Sequence, residues 1–100
     1  MEMKKVYISG KISGIPLEVA KAKFNAAADR IREAGHRPFN PFDNGLPDTA
    51  TWNEHMKADI AMMMECDEVC MLPCWTTSQG AIIERSIAEK VGMVVYDFKP

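Results

Sequence analysis

Short apolar runs alternate along the chain with longer stretches in which apolar residues recur every three or four positions. The short runs are typical of β-strands and the longer stretches of amphipathic helices. Strands that alternate with helices indicate right-handed crossovers and a mostly parallel sheet with helices on both faces. The predicted strands are Lys5–Ser9, His36–Phe39, Glu68–Leu72 and Met93–Tyr96.

Three helices are predicted between these strands, each bounded by residues that favour a helix end. The capping box of Thr51 and Glu54 is the clearest signal, because each side chain can accept a hydrogen bond from the other residue's backbone N–H. We therefore expect an α/β fold, a small flavodoxin-like or Rossmann-like domain of about four parallel strands that spans residues 1–100. The helices run from about Pro16 to Gly35, from Thr51 to about Glu65 and from Ser78 to Gly92, and a turn-rich loop covers Asn40–Pro47.

One carboxylate falls beside the apolar sector of the third helix. At about 100° per residue, Ile83 and Ile87 share that sector with Gly80 and Val91, and Glu84 lies at its edge. A carboxylate turned toward the interior is costly, which makes such a group a candidate for chemistry. A half-exposed glutamate paired with a nearby cation would give the same pattern.

Asp59 has a similar position in the second helix, about 20° from Trp52 and 40° from Met63. Two inward carboxylates on helices that flank the third strand suggest a nucleophile with an acid/base or positioning group. Tyr7 on the first strand faces away from its apolar neighbours Val6 and Ile8. Its hydroxyl either reaches the carboxylates or makes a single hydrogen bond within the core.

Two glycine-containing segments fall beyond the carboxyl ends of predicted strands, where ligands bind in such sheets. Gly10-Lys11-Ile12-Ser13-Gly14 could offer backbone N–H groups and a helix N-terminus to an anion, or could simply be a turn with positive φ. In the loop Pro73–Gly80, Ser78 either caps the third helix, the commoner role, or donates to a ligand. Trp75 stays outside the candidate site, because a lone tryptophan in a loop more often covers the edge of a core.

Composition and charge exclude several classes of protein. Hydrophobic residues make up 47% of the chain and charged residues 26%, which is ordinary for a globular domain. A formal net charge of −2 argues against non-specific binding to nucleic acid or to an anionic membrane. No apolar run has the length of a membrane span, and residues 1–5 lack the apolar region of a secretory signal. We expect a cytoplasmic protein with neither a membrane nor a nucleic acid as its partner.

The cysteines do not predict a metal site. Cys66, Cys70 and Cys74 are odd in number and are expected to be free thiols. They run from a helix end through a strand into a loop, so they would not converge, and neither His36 nor His55 lies at a zinc-ligand spacing. We predict no metal and no cofactor.

Three segments together resemble the nucleoside 2-deoxyribosyltransferase superfamily, which also contains the 2′-deoxynucleoside 5′-monophosphate N-glycosidases. The resemblance covers nearly the whole chain. The elements Phe39-Asn40-Pro41 and Asn44-Gly45-Leu46-Pro47 are most similar to a short bacterial and phage branch. The three segments are Val6–Gly14, the Asp59 helix with Cys66–Val69, and the pattern Ser78-x-Gly80-x-x-x-Glu84-x-x-x-Ala88.

The resemblance implies cleavage or transfer of the N-glycosidic bond of a 2′-deoxynucleoside or its 5′-monophosphate. Glu84 would attack the anomeric carbon to form a glycosyl-enzyme, as in retaining glycosidases. Asp59 would help to protonate the departing base or orient the sugar, and Tyr7 would position the Glu84 carboxylate. The sugar hydroxyls or a 5′-phosphate would be held by Gly10, Ser13, Gly14, Ser78 and Gly80, and Lys11 of the same loop is a further candidate.

The sequence departs from the family pattern in two places. Ser13 stands where the monophosphate hydrolases usually carry arginine, which weakens the prediction of strong phosphate binding. Family members often continue past the last strand with a segment that reaches a neighbouring subunit's site, whereas this sequence stops at Pro100.

Two other functions are left open by the sequence. A nucleotide-binding or sensing module would keep the pocket without turnover. A phospho-receiver would need an aspartate at the end of the third strand, where this chain has Leu72-Pro73, and is disfavoured. Since closed symmetric oligomers are the default for small domains, we expect a homodimer or a larger ring.

Overall fold

Four parallel strands and three α-helices make up residues 2–100, the part of the chain that the computed structural model describes. The strands lie in the order β2-β1-β3-β4, so the α/β parallel sheet expected from the sequence is confirmed. Each of these helices is too short or too polar to cross a membrane. The strands are β1 (Lys5–Ser9), β2 (Arg37–Phe39), β3 (Glu68–Met71) and β4 (Val94–Asp97), and the helices are α1 (Leu17–Glu33), α2 (Trp52–Met64) and α3 (Gln79–Lys90).

Alternation along β1 divides the core into two layers. Val6 and Ile8 pack against α1 through residues such as Phe24. Tyr7 points to the opposite face and packs with Met63 of α2 and with residues of α3. The prediction that Tyr7 faces away from its neighbours is therefore confirmed, and it places the tyrosine between the two helices that carry the inward carboxylates.

The capping box that begins α2 is also confirmed. The Glu54 backbone N–H donates to the Thr51 hydroxyl at 3.1 Å, and the Thr51 backbone N–H donates to Glu54 Oε1 at 2.9 Å. These reciprocal bonds satisfy N–H groups that a helix start leaves free. They fix the start of the helix that carries Asp59.

β2 and β4 begin later than predicted because the residue before each strand hydrogen-bonds to the preceding helix. The backbone N–H of His36 donates to Ile31 at 3.1 Å, and that of Met93 donates to Ala88 at 2.9 Å. These bonds close the C-terminal turns of α1 and α3, so β2 and β4 each begin one residue later than predicted. Pro16, with a ψ of 135°, precedes the first helical residue instead of occupying that position.

The buried stripe of α3 was placed wrongly by the sequence pattern. Ala81, Glu84 and Ala88 are the buried residues of this helix, whereas Val91 is 52% exposed. The reason is close packing: at Gly80 even a Cβ atom would lie 3.1 Å from Met56 Sδ of α2. Small side chains therefore face the sheet and α2, and Glu84 lies in the middle of the buried stripe instead of at its edge.

Candidate active site

A cleft of about 740 Å³ is lined by the residues that follow β1, by one face of α2 and by the start of α3. It lies at the ends of the neighbouring strands β1 and β3. The chain leaves β1 to form β2 on one side of it and later returns to form β3 on its other side, so the strand order reverses here. Such reversals of strand order are the usual ligand sites of open α/β sheets. The structure brings together in this cleft all of the predicted site residues other than Gly14: Tyr7, Gly10, Lys11, Ser13, Asp59, Ser78, Gly80 and Glu84.

The Glu84 carboxylate is held by two donors from β1. The Tyr7 hydroxyl donates to Oε2 at 2.9 Å, and the Ser9 hydroxyl donates to Oε1 at 2.6 Å. Tyr7 and Ser9 are both fully buried, and Glu84 is only 5% exposed. Because the donors sit two residues apart on one strand, they reach the same face of the sheet and fix both oxygens of the carboxylate.

Burial dominates the protonation of Glu84. It raises the pKa of this carboxyl to about 7, against the two hydrogen bonds from Ser9 and Tyr7, and the nearby charge of Asp59 raises it further. Burial and the Glu84 charge also raise the pKa of Tyr7 well above its usual range, so its hydroxyl stays a donor. A dry carboxylate held at both oxygens is suited to attack a carbon or to stabilise positive charge that develops beside it.

Asp59 is the second carboxyl of the cleft and is 7% exposed. Its Oδ1 accepts a hydrogen bond from Asn44 Nδ2 at 2.9 Å, and the same nitrogen lies 3.0 Å from His55 Nδ1. Burial raises the pKa of Asp59, opposed by the Asn44 hydrogen bond and by His55. A carboxyl that keeps its proton to higher pH than usual is suited to donate it to a leaving group.

The predicted binding residues include several with structural duties. Ser78 Oγ accepts from the Ala81 backbone N–H at 3.2 Å and so caps α3, the commoner of its two predicted roles. A side chain at Gly10 would lie 2.8 Å from Leu72 Cβ, so packing alone requires glycine there. Lys11 Nζ donates to Thr77 Oγ1 at 3.3 Å across the mouth of the cleft. Gly14 turns the loop with a φ of +84° and does not line the cleft.

Three polar residues of the site were missed by the sequence reasoning. Ser9 follows Tyr7 by two positions on β1, a spacing that could have indicated a shared face. His55 precedes Asp59 by four positions, one helical turn, which could have indicated a shared side of α2. Asn44 lies in the loop before α2, and no local pattern connects it to Asp59, since only the tertiary fold brings them together.

Metal-ligating side chains do not cluster in the structure. Within residues 2–100, no three His, Cys, Asp or Glu side chains are grouped so that they could hold a metal ion. Cys66, Cys70 and Cys74 are free, and burial raises the pKa of Cys66 to about 12 and that of Cys70 to about 11. Buried thiols of this kind are inert.

Trp75 packs against the core and does not line the cleft. The guanidinium carbon of Arg85 lies 4.3 Å from the centroid of the Trp75 ring.

Comparison with known proteins supports the fold and extends over nearly the whole chain. Residues 4–97 match the family described as "Domain of unknown function (DUF4406)". A search of the curated proteins gave no match. Among solved structures, a 2-deoxyribosyltransferase from the psychrotolerant bacterium Bacillus psychrosaccharolyticus superposes with a TM-score of 0.74 at 21% identity, over 96% of this chain and 72% of the other.

A 2-deoxyribosyltransferase from Leishmania mexicana gives a TM-score of 0.73, also at 21% identity. The alignment covers 95% of this chain and 63% of that protein, so the present chain spans less than two thirds of its length. The chain therefore has the fold of the 2-deoxyribosyltransferases, and the resemblance found in the sequence is confirmed at the level of the fold.

The buried Glu84 carboxyl should make stability depend on pH. Below about pH 4.5 the carboxyl is protonated in both states, and between pH 4.5 and about 7 it ionises in the unfolded chain alone. Its contribution to stability is therefore full at low pH and is lost as the pH rises to about 7. Glu84→Gln removes this loss. Between pH 4.5 and pH 8, the unfolding free energy of the variant should therefore rise by about 3 kcal/mol relative to that of the parent.

Urea unfolding of both proteins at the two pH values measures this difference. Glu89→Gln is the matched control, because Glu89 is on the exposed side of the same helix. Equal changes in unfolding free energy for the two variants would show that folding does not raise the pKa of Glu84.

Proposed function

The chain belongs to the DUF4406 family, and we propose that it cleaves or transfers the N-glycosidic bond of a 2′-deoxynucleoside or its 5′-monophosphate, with Glu84 as the nucleophile. The observation that carries the proposal is the Glu84 carboxylate, buried and held at both oxygens, in a cleft shared with a second carboxyl, Asp59. The fold shared with 2-deoxyribosyltransferases supports the choice of a nucleoside as substrate.

The first step would form a glycosyl-enzyme. An oxygen of Glu84 attacks C1′ of the deoxyribose, the bond from C1′ to the base nitrogen breaks, and that nitrogen takes the electron pair. Asp59 supplies the proton that the departing base needs. Two carboxyl groups in these roles suit a transition state that resembles an oxocarbenium ion.

The second step would release the sugar. Water or another base attacks C1′, the ionised Asp59 takes the proton of the attacking group, and the bond to Glu84 breaks. Water as acceptor makes the protein a hydrolase, and a second base makes it a transferase. Tyr7 and Ser9 would position Glu84 throughout, and the route uses no cofactor.

The cleft has the size and the donors for such a substrate. Its volume of about 740 Å³ lies within the range of about 300–1,000 Å³ found for small-molecule sites. Lys11 and Ser13 in the loop after β1 and Ser78 and Gly80 at the start of α3 would bind the sugar hydroxyls or a 5′-phosphate. We retain Gly14 in this proposal only as the residue that shapes the loop.

Binding without turnover is the second candidate function. Both oxygens of Glu84 already accept hydrogen bonds from the protein, as the oxygens of a purely structural carboxylate would. A nucleotide-binding or sensing module could use the same cleft. Calorimetric binding of a deoxynucleoside or its monophosphate, without release of base, would favour this function over catalysis.

Self-association and location belong to the same proposal. Exposed apolar side chains on several elements, among them Leu17, Trp52 and Val94, could supply an interface between copies of the chain. The free cysteines suit the reducing cytoplasm, where we place the activity.

Removing the Glu84 carboxylate should abolish base release. With deoxynucleosides or their monophosphates as substrate, Glu84→Ala and Glu84→Gln should lose on the order of 10³-fold or more in kcat, because the proposed glycosyl-enzyme forms on this carboxylate. Chromatography of the released base measures the rate. Mass spectrometry of quenched parent enzyme should show one added deoxyribosyl group with a deoxynucleoside, or one added 5-phosphodeoxyribosyl group with a monophosphate. Glu89→Gln is the control, and parent-like turnover by Glu84→Gln would rule out the nucleophile.

The two donors to Glu84 should set the acid limb of the pH profile. We expect kcat/KM to fall as the pH drops below about 7, because Glu84 takes up a proton. Tyr7→Phe and Ser9→Ala each remove a hydrogen bond that lowers the pKa of Glu84, so the limb should move to higher pH. Tyr96→Phe, the same chemical change on β4, should leave it in place, and an equal shift in Tyr96→Phe would contradict the assignment.

Sedimentation equilibrium tests the proposed self-association. We expect a mass of at least two chains, since exposed apolar surface favours burial between copies. A mass that stays at the monomer value of 11.2 kDa across the concentration range would exclude the dimer. Trp52→Ser should weaken the association, because Trp52 is one of the exposed apolar side chains proposed for the interface.

A further inference from the structure

Asn44 forms the centre of a hydrogen-bond network in the cleft. Its Oδ1 accepts from the Leu46 backbone N–H at 3.0 Å. Its Nδ2 lies 2.9 Å from Asp59 Oδ1 and 3.0 Å from His55 Nδ1. Because only the oxygen of an amide can accept, the bond from Leu46 fixes which way the Asn44 amide faces, and its nitrogen must point to Asp59 and His55.

The orientation of this amide determines the state of His55. An amide nitrogen donates two hydrogens and accepts none. One hydrogen goes to Asp59 Oδ1, and the other is available to His55 Nδ1. Nδ1 must then be the acceptor, so a neutral His55 carries its proton on Nε2.

The same bond distinguishes the two oxygens of Asp59. Since Oδ1 accepts from Asn44, a proton on this carboxyl resides on Oδ2. Across residues 2–100 no side chain hydrogen-bonds to Oδ2, and no buried side-chain oxygen there lacks a partner. Oδ2 is therefore not sealed in the core and opens to the cleft that Asp59 lines.

We propose that Asn44 is a positioning residue for the acid of this site, which holds the proton of Asp59 on the oxygen that faces the substrate and holds His55 with its proton on Nε2. The use of that proton rests on the proposed function, because it is the departing base that would receive it. The arrangement of the amide, the carboxyl and the imidazole rests on the hydrogen bonds alone.

A second asparagine in the same loop provides a matched comparison. Asn40 Oδ1 accepts from the Phe42 backbone N–H at 3.0 Å, in the same type of turn, two residues ahead. Its Nδ2 donates to Asn25 Oδ1 at 3.4 Å and does not reach the acid. Aspartate can form this turn as well as asparagine but cannot donate. Asn→Asp at either position therefore keeps the turn, and only at position 44 does it remove the donor to Asp59.

The test compares the parent protein with Asn44→Asp and Asn40→Asp by NMR. The titratable groups that face Asp59 are His55 on its own helix, Tyr7 on β1 and Glu84 on α3, and Asp48 and Lys11 also line the cleft.

In Asn44→Asp we expect the carboxyl carbon of Asp59 to titrate at higher pH, because a hydrogen-bond donor to Asp59 is replaced by a like charge. The ¹⁵N shifts of His55 should show its proton moving toward Nδ1. Asn40→Asp should change neither signal.

Activity gives a second, separate readout. In Asn44→Asp we expect kcat to fall about tenfold or more, which is the scale of a misplaced general acid. Asn40→Asp should keep the parent kcat. Equal losses of kcat in the two variants would mean that the loop matters only for folding, and would overturn the proposal.

The parent protein offers a test that needs no variant. At alkaline pH, a proton on Nδ1 of His55 would overturn the proposal, and a proton on Nε2 would support it. If the parent releases no base from any deoxynucleoside or monophosphate, the proposed function fails, and the NMR signals still decide the role of Asn44. An Asp59 titration that is the same in Asn44→Asp and in the parent would remove that role.

Discussion

Burial of the Glu84 carboxylate between Tyr7 and Ser9 is the interaction on which the rest of the site depends. A carboxylate taken out of water is costly unless its oxygens receive hydrogen bonds. Here a single strand supplies both donors, at 2.9 and 2.6 Å, and each donor is itself fully buried. Because β1 lies inside the sheet, paired with β2 and β3, these donors cannot move away from the carboxylate without disturbing the sheet.

This arrangement explains the composition of α3. To bring a glutamate within hydrogen-bond distance of the sheet, the helix must approach closely. Ala81 and Ala88 on either side of Glu84 permit that approach, as does Gly80 against Met56 of α2. The larger isoleucines of α3 lie at the sides of the buried stripe. The buried carboxylate needs its hydrogen-bond donors close by, and the helix must approach the sheet to reach them. Both requirements therefore favour the same small residues.

Much of the fold could be predicted from the sequence, since alternation, capping and turn residues are local signals. The Thr51 capping box and the opposed faces of Tyr7 and Val6 were predicted correctly because each depends on spacing within a single element. The stripe of α3 was predicted wrongly because apolar side chains were assumed to mark the buried face. In a helix that packs at close range, the size of each side chain decides which residues face inward. The small residues Ala81 and Ala88 therefore occupy the buried face, and the isoleucines lie beside it.

The site was only partly predictable for a related reason. Glu84 and Asp59 could be proposed because their helical positions are unusual for acids. Asn44 could not, because its partners are fixed by tertiary contacts between a loop and α2. Ser9 could have been predicted in the same way as Tyr7, since residues two apart on a strand share a face.

The two carboxyls of the cleft differ in what holds them, and this difference suits them to different tasks. Both oxygens of Glu84 are fixed by hydroxyls from a central strand, which favours a carboxylate that keeps one position while charge develops near it. Asp59 is held at one oxygen by a loop amide, which leaves the other oxygen open to the cleft. A group that must give up and take back a proton needs such an open position, whereas a nucleophile needs a fixed one. For the proposed function, this contrast in support favours attack by Glu84 and proton transfer by Asp59 more strongly than the pKa of either carboxyl does, because burial raises both.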